Sequence, residues 1–345
     1  MAAGFDFLER LGAGHFGEVW LAMDTGLNAE CAVKLIHPAK VPNPRNFFQE
    51  AQLLKAAEHP NVVRVYETGK MDDGRLYVAM EYLPKRSVED EAKGACMLLT
   101  RVKRLAIDAL RGLEHAHSRG VIHRDIKPAN ILVGNLGEGK LSDFGLAIPA
   151  GLDLKSLAVK DYAYALHLAP EVNSAKDCTV LSDVYGCGVT LYRLVNGDTI
   201  LPAIAPDEAR ALARLGQFPD RSKYRDFVPR PFRLVINKAM DMEPTRRFQS
   251  ASEMRHAIEK LKTEKNWTEK VLMDGTEWTC GWNKRCYQVV RRSIPGGRWE
   301  VVVRKGPSRK ALRRVSALCL SGVGKTEAAQ HSRRVLQDFV LGRLE

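Results

Sequence analysis

The apolar residues of the first 85 positions recur at the spacing of short β-strands. FDFLERL, VWLAMD and CAVKLI are typical of three strands, and NVVRVYETG and RLYVAMEYL alternate like a hairpin joined at MDDG. Between CAVKLI and this hairpin, apolar residues recur at helical spacing: Phe47, Phe48, Ala51, Leu54 and Ala57. The pattern predicts five strands, with one helix between the third and the fourth.

Further along the chain, residues 97–119 have the pattern of a long amphipathic helix. Near the C-terminus, GTEWTCGW, RCYQVVRRS and RWEVVVRKG resemble strands, with turns at 295–297 and near 306–307. A fourth candidate strand, RVSALCLSG, leads into the candidate helix KTEAAQHSRRVLQDFVLGRL. Several strands followed by a helix indicate a small α+β domain at this end of the chain.

Charge and tryptophan are concentrated in this C-terminal stretch. The chain has 345 residues, which suggests about two domains, and its net charge is +12. Residues 265–345 hold 17 Lys and Arg against 7 Asp and Glu, a balance of +10, so the first 264 residues carry only +2. Four of the five tryptophans also lie there. We therefore expect a boundary near residues 262–270, with domains at 1–264 and 265–345.

Composition narrows the class of protein. The seven cysteines are odd in number and form no CxxC pair, which favours reduced thiols over a disulfide or zinc framework. The N-terminus lacks the basic and apolar regions of a signal peptide, and no apolar run approaches the ~18 residues that cross a bilayer. We expect a soluble, cytoplasmic protein with no membrane partner.

A glycine-rich turn joins the first two predicted strands. Gly12, Gly14 and Gly17 would let the backbone fold closely over a phosphate chain. The same spacing occurs in dinucleotide-binding folds, where a helix follows the glycines. Here Val19 and Trp20 continue as a strand, which favours a hairpin that covers phosphates.

The segments HRDIKPANIL and SDFG carry the strongest chemical signal. Asp125 stands five positions before Asn130 and eighteen before Asp143, with Lys127 between them. An acid that can accept a proton is thus followed by an amide and a second acid that can hold a divalent metal. These are the groups that transfer of a phosphoryl group requires.

Lys34 in the third strand is a candidate partner for nucleotide phosphates. A lysine in such a strand is usually an edge residue kept in water. Glu50, sixteen residues later on the predicted helix, would instead hold the Lys34 ammonium against the phosphates.

Together these motifs resemble the eukaryotic-type (Hanks-type) protein serine/threonine kinase family, and the QSASEM segment resembles its bacterial members most. The resemblance covers roughly residues 5–262 and includes GAGHFG, HRDIKPAN, DFG and the APE of residues 169–171. It implies a bilobal α+β fold, with a sheet-rich lobe at about 5–83, a helical lobe at about 84–262 and ATP between them.

The resemblance also implies roles for individual residues. Asp125 would deprotonate the substrate hydroxyl, and Lys127 would contact the transferred phosphate. Asn130 and Asp143 would hold magnesium, or manganese in its place. ATP would be bound by Gly12, Gly14, Gly17, Val19, Lys34, Glu50, Glu81, Leu83 and Leu132, with Met80 at the back of the adenine pocket. Structural anchors would be His123 beneath Phe144, Asp183 under the catalytic loop, and Arg247 paired with Glu171.

The segment between DFG and APE departs from the family pattern. Tyr164 stands where serine/threonine members usually carry a threonine, and His167 where a tyrosine is common. Lys127 still favours serine/threonine specificity over tyrosine. Ser156, Tyr162 and Tyr164 are candidate phosphorylation sites, whose phosphate Arg124 could bind. The alternative is constitutive activity, with Arg124 bonded locally.

We therefore predict an ATP- and magnesium-dependent protein serine/threonine kinase that phosphorylates itself and protein substrates. The alternative is a pseudokinase, an ATP-binding scaffold that acts through interactions. Two interpretations of the basic residues in 265–345 stay open: a patch for nucleic acid or another acidic partner, or a solvated face of a domain that docks substrate or the kinase itself. The basic residues are Arg291, Arg292, Arg304, Lys305, Arg309, Lys310, Arg313 and Arg314.

Overall fold

The computed structural model of the chain describes residues 4–14, 17–38, 58–144, 166–173 and 178–344. Its N-terminal part is one antiparallel sheet in the order β1-β2-β3-β5-β4, which confirms the five predicted strands. The helix predicted around Phe47 lies outside the described residues. The strands are β1 (Phe5–Gly14), β2 (Gly17–Asp24), β3 (Ala29–Ile36), β4 (Val65–Lys70) and β5 (Leu76–Glu81).

Alternation along β3 decides which side chains face the rest of the protein. Cys31, Val33 and Leu35 belong to a small apolar cluster on one face of the sheet. Ala32 and Ile36 belong to the main core, which continues into the helices. Successive residues of a strand point to opposite faces, so Lys34 shares the face of Ala32 and Ile36 and points toward the helical part.

The helical part follows the sheet and surrounds one central helix, α4. Almost every residue of α4 is buried, and its first turn is closed by a capping box between Thr179 and Ser182. The amphipathic helix predicted at 97–119 is confirmed as α2. The elements are α1 (Val88–Ala92), α2 (Leu99–Ser118), β6 (Ile131–Val133), β7 (Gly139–Leu141), α3 (Pro170–Asn173), α4 (Val180–Asn196), α5 (Pro206–Arg214), α6 (Arg230–Ala239) and α7 (Ala251–Glu259).

The C-terminal part is a six-stranded antiparallel sheet with one helix, which confirms the α+β prediction for this region. The prediction of four strands was incomplete. A short strand precedes GTEWTCGW, and the predicted RVSALCLSG strand is divided by a 3-10 turn into two strands that both pair with β11. The elements are β8 (Thr268–Val271), β9 (Gly275–Trp282), β10 (Arg285–Ile294), β11 (Arg298–Gly306), β12 (Arg313–Arg314), β13 (Leu320–Val323) and α8 (Lys325–Val340).

This sheet and α8 pack directly on the helical part. One cluster of buried apolar residues extends from the helices of the helical part to Trp278, Tyr287 and Phe339. At its edge, Asp226 accepts hydrogen bonds from Arg291 at 2.8 Å and from Arg333 at 2.9 Å. The division of the chain at residue 264 stays a prediction. No helix of the described residues is both long and apolar enough to span a membrane.

Candidate active site

Asp125 and Asn130 lie side by side on the loop between α2 and β6. The Asn130 side-chain amide donates to both the backbone oxygen and Oδ2 of Asp125, each at 2.8 Å. A 3-10 turn over Pro128–Asn130 bends the chain back so that these residues, five apart, can meet. Lys127 Nζ lies 3.0 Å from Asp125 Oδ2. The predicted base, amide and lysine therefore form one cluster.

The second predicted acid is held next to this cluster. Both the Ser142 N–H, at 2.9 Å, and the Ser142 hydroxyl, at 3.2 Å, donate to the backbone oxygen of Asn130. This places Asp143 directly after a residue bonded to Asn130. Because the Asn130 amide nitrogen is engaged by Asp125, its side-chain oxygen remains to act as a ligand. A carboxylate and an amide oxygen are the hard donors that Mg²⁺ prefers, so the residues present fit a divalent metal.

Lys34 reaches across from β3 to Asp143. Its Nζ lies 2.8 Å from Asp143 Oδ1, and the lysine side chain is only 14% exposed. Burial raises the pKa of Asp143, but the hydrogen-bonded Lys34 ammonium, together with the charges of His123 and Lys127, more than offsets this, so the net pKa lies below its ordinary value. Asp143 has φ +54°, in the left-handed region that a non-glycine residue seldom adopts. The pair joins the sheet to the loop that carries the candidate metal ligands.

Asp183 holds the backbone of the loop that carries Asp125. Its two carboxylate oxygens accept the backbone N–H groups of His123 and Arg124, each at 2.8 Å, and His117 Nε2 lies 2.9 Å from Oδ2. Arg124 has φ +70°, again left-handed. A carboxylate that is 2% exposed thus stabilises an unfavourable backbone turn immediately before Asp125.

His123 packs within the core. It is fully buried, and its ring centroid lies 4.4 Å from that of Phe144. Burial lowers the pKa of His123 below its ordinary value of 6.5. The histidine therefore lies against Phe144, where the family resemblance placed it.

The pair of Glu171 and Arg247 also forms. Both terminal nitrogens of the guanidinium donate to the two carboxylate oxygens at 2.7 Å. Arg247 further donates to the backbone oxygens of Asp241 and Leu181 and stacks over the ring of Tyr185. The APE segment is thereby attached to the loop before α7.

The candidate adenine pocket lies where β5 leaves the sheet. Met80 lines a small cavity together with Lys34 and Phe144. The Glu81 N–H donates a hydrogen bond to Arg64 O at 2.9 Å. The Glu81 carboxylate accepts a hydrogen bond from Lys140 Nζ at 2.8 Å. Leu83 is buried, whereas Val19 on β2 and Leu132 on β6 are half-buried.

The three glycines of the first turn differ in what surrounds them. A Cβ at Gly17 would lie 1.9 Å from Leu35 O, so no side chain fits there. A Cβ at Gly12 would meet no protein atom within 4 Å. The protein's own atoms therefore exclude a side chain at Gly17 but not at Gly12. Gly14 ends β1.

Several predicted residues lie outside the described residues: Glu50, Ser156, Tyr162 and Tyr164. His167, close to them in sequence, is described and buried. Its ring nitrogens lie 3.5 Å from Thr190 Oγ1 and 3.3 Å from an Arg193 nitrogen. Burial, and then the charges of Arg193 and Lys127, lower the pKa of His167 well below 6.5.

Some partners at this site were missed by the sequence interpretation. Lys140 holds the Glu81 carboxylate, and His117 adds a third contact to Asp183. Arg193 bonds both Glu89 and Asp198. No local pattern marks these pairs, because each side chain looks like an ordinary polar residue until the chain brings its partner close.

Comparison with known proteins assigns the family. The model of the protein kinase domain matches residues 5–258. Serine/threonine-protein kinase PknJ of Mycobacterium bovis is 34% identical over 270 residues, which are 74% of this chain and 45% of the relative. The kinase PknB of Mycolicibacterium smegmatis is 32% identical over 265 residues, 73% of this chain and 42% of the relative. A probable serine/threonine-protein kinase of Streptomyces coelicolor, SCO3848, is 32% identical over 262 residues, which are 72% of this chain and 38% of the relative.

The chain spans less than half the length of these curated relatives. The family match, by contrast, covers the sheet, the helical part and the cluster around Asp125. The chain belongs to the protein kinase domain family.

Proposed function

We propose that the protein is an ATP- and magnesium-dependent protein serine/threonine kinase. The observation that carries the proposal is the cluster of Asp125, Asn130 and Asp143, reached by Lys34 from the opposite side of the cleft. The printed names of the relatives, serine/threonine-protein kinases, support the same class of substrate.

Each charged group of the cluster has a proposed part in the transfer. The substrate hydroxyl oxygen forms a bond to the γ-phosphorus while the bond from that phosphorus to the bridging oxygen of ADP breaks. Asp125 accepts the hydroxyl proton, and the Lys127 ammonium beside it neutralises charge on the transferred group. Asn130 and Asp143 would hold magnesium, which would supply positive charge to neutralise the phosphate oxygens. Positioning and charge neutralisation account for most of the rate.

The proposed ATP site follows the same cleft. The adenine lies between Val19 and Leu132, with Met80 behind it. Because the Glu81 N–H is already bonded to Arg64 O, the N–H of Leu83 is the donor that we expect to bond the adenine edge. The phosphates lie beneath the glycine turn of Gly12, Gly14 and Gly17 and beside Lys34, which Glu50 is proposed to orient.

The experiment compares wild type with Asp125→Asn and Asp143→Ala. We expect radiolabelled phosphate to pass from ATP to a generic protein substrate with wild type, and the signal to require added Mg²⁺. Both variants should lose at least about a hundredfold in rate, while far-UV circular dichroism stays unchanged. Equal signals from wild type and Asp143→Ala would refute the enzyme and leave the pseudokinase alternative, which binds ATP without transfer.

We also propose that the protein phosphorylates itself between DFG and APE. The candidate acceptors are Ser156, Tyr162 and Tyr164, and Arg124 is the candidate partner of the phosphate. The intact mass after incubation with ATP should rise by one or more phosphates on peptides from residues 146–168. Constitutive activity without any such mass change contradicts this regulation.

A second candidate function, binding of nucleic acid, is favoured by the register of β11 and β12. Arg304 stands directly opposite Arg314, and Lys305 opposite Arg313. Like charges in facing positions destabilise a sheet, and an anion between them would relieve the repulsion. Arg309 and Lys310 lie in the exposed connection between the two strands, so this end of the sheet carries six basic residues.

Binding to duplex DNA at several salt concentrations tests the candidate. Each phosphate contacted should add about −0.9 to the slope of log K against log salt, so Arg304→Gln with Arg314→Gln should reduce it by about two. Arg292→Gln is the matched control, because Glu300 already pairs with that arginine at 2.6 Å. Polyglutamate that binds as tightly as DNA would identify an acidic protein partner instead. If neither DNA nor polyglutamate binds at low salt, the proposal is wrong.

A further inference from the structure

A groove of about 520 Å³ runs between α6 of the helical part and the C-terminal helix α8. Its other side extends from Gln330 of α8 to Leu341, the residue after that helix, a stretch of twelve residues and about three helical turns, or roughly 16 Å at 1.5 Å per residue. The groove is distinct from the cleft of Asp125 and from the basic end of the sheet at β12. We call it the arginine groove.

The arginine groove has an apolar floor. Leu234 of α6 is 55% exposed there, next to Pro231 and opposite Leu341. Most of the surface inside the groove is apolar. Exposed leucines are ordinary when scattered, but here three apolar side chains share one concave surface. A partner that covers them gains apolar burial.

Arginines surround this floor. Arg230, Arg333, Arg334 and Arg343 line the groove. Arg333 forms an ion pair with Asp226 at 2.9 Å, and the same carboxylate also pairs with Arg291. Arg343 bonds Asp338 at 3.1 Å.

The remaining charges are not balanced. Among the described residues, the ion pairs at the groove involve Arg333 and Arg343 but neither Arg230 nor Arg334, and Arg334 instead lies 3.4 Å from His331 Nδ1. The arginines therefore outnumber the acids available to them.

A neighbouring arginine adds to the positive charge beside the groove. Arg233, three residues after Arg230 on α6, has a buried Nε with no hydrogen-bond partner among the described residues. Burial, then the charges of Arg333 and Arg230, lower the pKa of Arg233. Carboxylates placed over the groove would offset this repulsion and bond the arginines in pairs.

We propose that the arginine groove binds an acidic amphipathic helix of a partner protein. The leucine-like side chains of that helix would cover Leu234 and Leu341, and its carboxylates would bond Arg230 and Arg334. The length of the groove suits about three turns of helix, and helix-in-groove binding uses apolar anchors at this spacing. The apolar floor favours such a helix over the phosphate backbone of a nucleic acid, which has no apolar face to cover it.

The test uses the full chain and two fluorescein-labelled synthetic helices. Both carry leucines at i, i+4 and i+7; one has glutamates at the flanking positions and the other has lysines. We expect the glutamate helix to bind with a Kd on the order of micromolar and the lysine helix to bind at least about tenfold more weakly. Equal binding of the two helices, or none of the glutamate helix, overturns the proposal.

Variants then locate the binding. Leu234→Asp and the pair Arg230→Glu with Arg334→Glu should each weaken binding of the glutamate helix at least about tenfold. Arg285→Glu, at an exposed position on β10, is the matched control and should leave binding unchanged. Leu234 is more than half exposed, so thermal melting should show that its variant folds. Undiminished binding by both groove variants, or displacement of the helix by duplex DNA at equal charge concentration, contradicts the proposal.

Discussion

Arg247 and Glu171 face each other as planar groups, joined by two parallel hydrogen bonds of 2.7 Å. The arginine is 1% exposed and the two residues are 76 positions apart. Such bidentate geometry satisfies both charges at once. Arg247 uses two more of its donors for backbone oxygens and lays its flat face over the ring of Tyr185. The pair therefore links the APE segment to the end of the helical part.

Breaking this pair should destabilise the protein strongly. Glu171→Ala leaves the Arg247 guanidinium buried without its carboxylate, which we expect to cost about 3–5 kcal/mol in the free energy of unfolding by denaturant. The exposed pair of Lys238 and Glu253 is the matched control, because both side chains are over 40% exposed. Glu253→Ala should cost about 1 kcal/mol or less. If the two variants lose similar amounts of free energy of unfolding, burial does not make the Glu171 pair more stabilising than an exposed pair.

Replacing Lys34 should affect nucleotide use more than folding. Lys34→Met removes the ammonium 2.8 Å from Asp143 but keeps most of the side-chain volume. We expect kcat/KM for ATP to fall at least about a hundredfold, since charge neutralisation at the phosphates is lost. Lys140→Met, which removes the ammonium beside Glu81, is the control and should have a much smaller effect. Steady-state kinetics at varied ATP measure both, and unchanged kcat/KM in Lys34→Met contradicts the proposed phosphate contact.

The buried His167 should make stability depend on pH. Its pKa in the folded protein lies well below the ordinary 6.5, so below about pH 6.5 the unfolded chain binds a proton that the folded protein does not. The contribution of neutral His167 to the free energy of unfolding is therefore complete above pH 6.5. As the pH drops from there toward the pKa of His167 in the folded protein, the free energy of unfolding falls by up to about 1.4 kcal/mol per pH unit.

His167→Gln should reduce that slope, whatever its effect on stability at neutral pH. Denaturant unfolding between about pH 5 and 8 measures the slope for wild type and variant. His256→Gln, at an exposed position on α7, is the matched control. An unaltered slope in His167→Gln would mean that the proton is taken up elsewhere.

The packing of the Lys265 side chain should contribute more to the stability of the folded protein than its charge does. It is 1% exposed, donates to Leu344 O at 3.0 Å, and its Nζ lies 4.2 Å from the ring centroid of Trp282. Lys265→Ala leaves a cavity and should cost about 2–5 kcal/mol. Lys265→Met keeps the volume and removes the desolvation cost of the ammonium, so we expect a smaller loss. Thermal melting of the two variants measures these losses. If Lys265→Met is destabilised as much as Lys265→Ala, the stabilisation comes from the ammonium over the aromatic rings instead of from packing.

Local patterns predicted the regular elements well where one face is buried. The alternation in CAVKLI and RLYVAMEYL corresponds to β3 and β5, and α2 covers nearly the predicted range. The division of RVSALCLSG into β12 and β13 was missed, because a 3-10 turn at Ser316–Leu318 breaks a run that has no glycine or proline inside. In that segment pairing with β11, and not local preference, decides where the strands lie.

By itself, the sequence determined which reacting groups this protein carries. The spacings among Asp125, Asn130 and Asp143 are short, so the loop that carries them specifies their order and chemistry. Only the tertiary structure decided which distant groups meet: Lys34 with Asp143, 109 positions apart, and Arg291 with Asp226. The arginine groove likewise exists only because α8 packs beside α6. The physical reason is that contacts across long separations depend on how buried faces pack, and no local spacing records that packing.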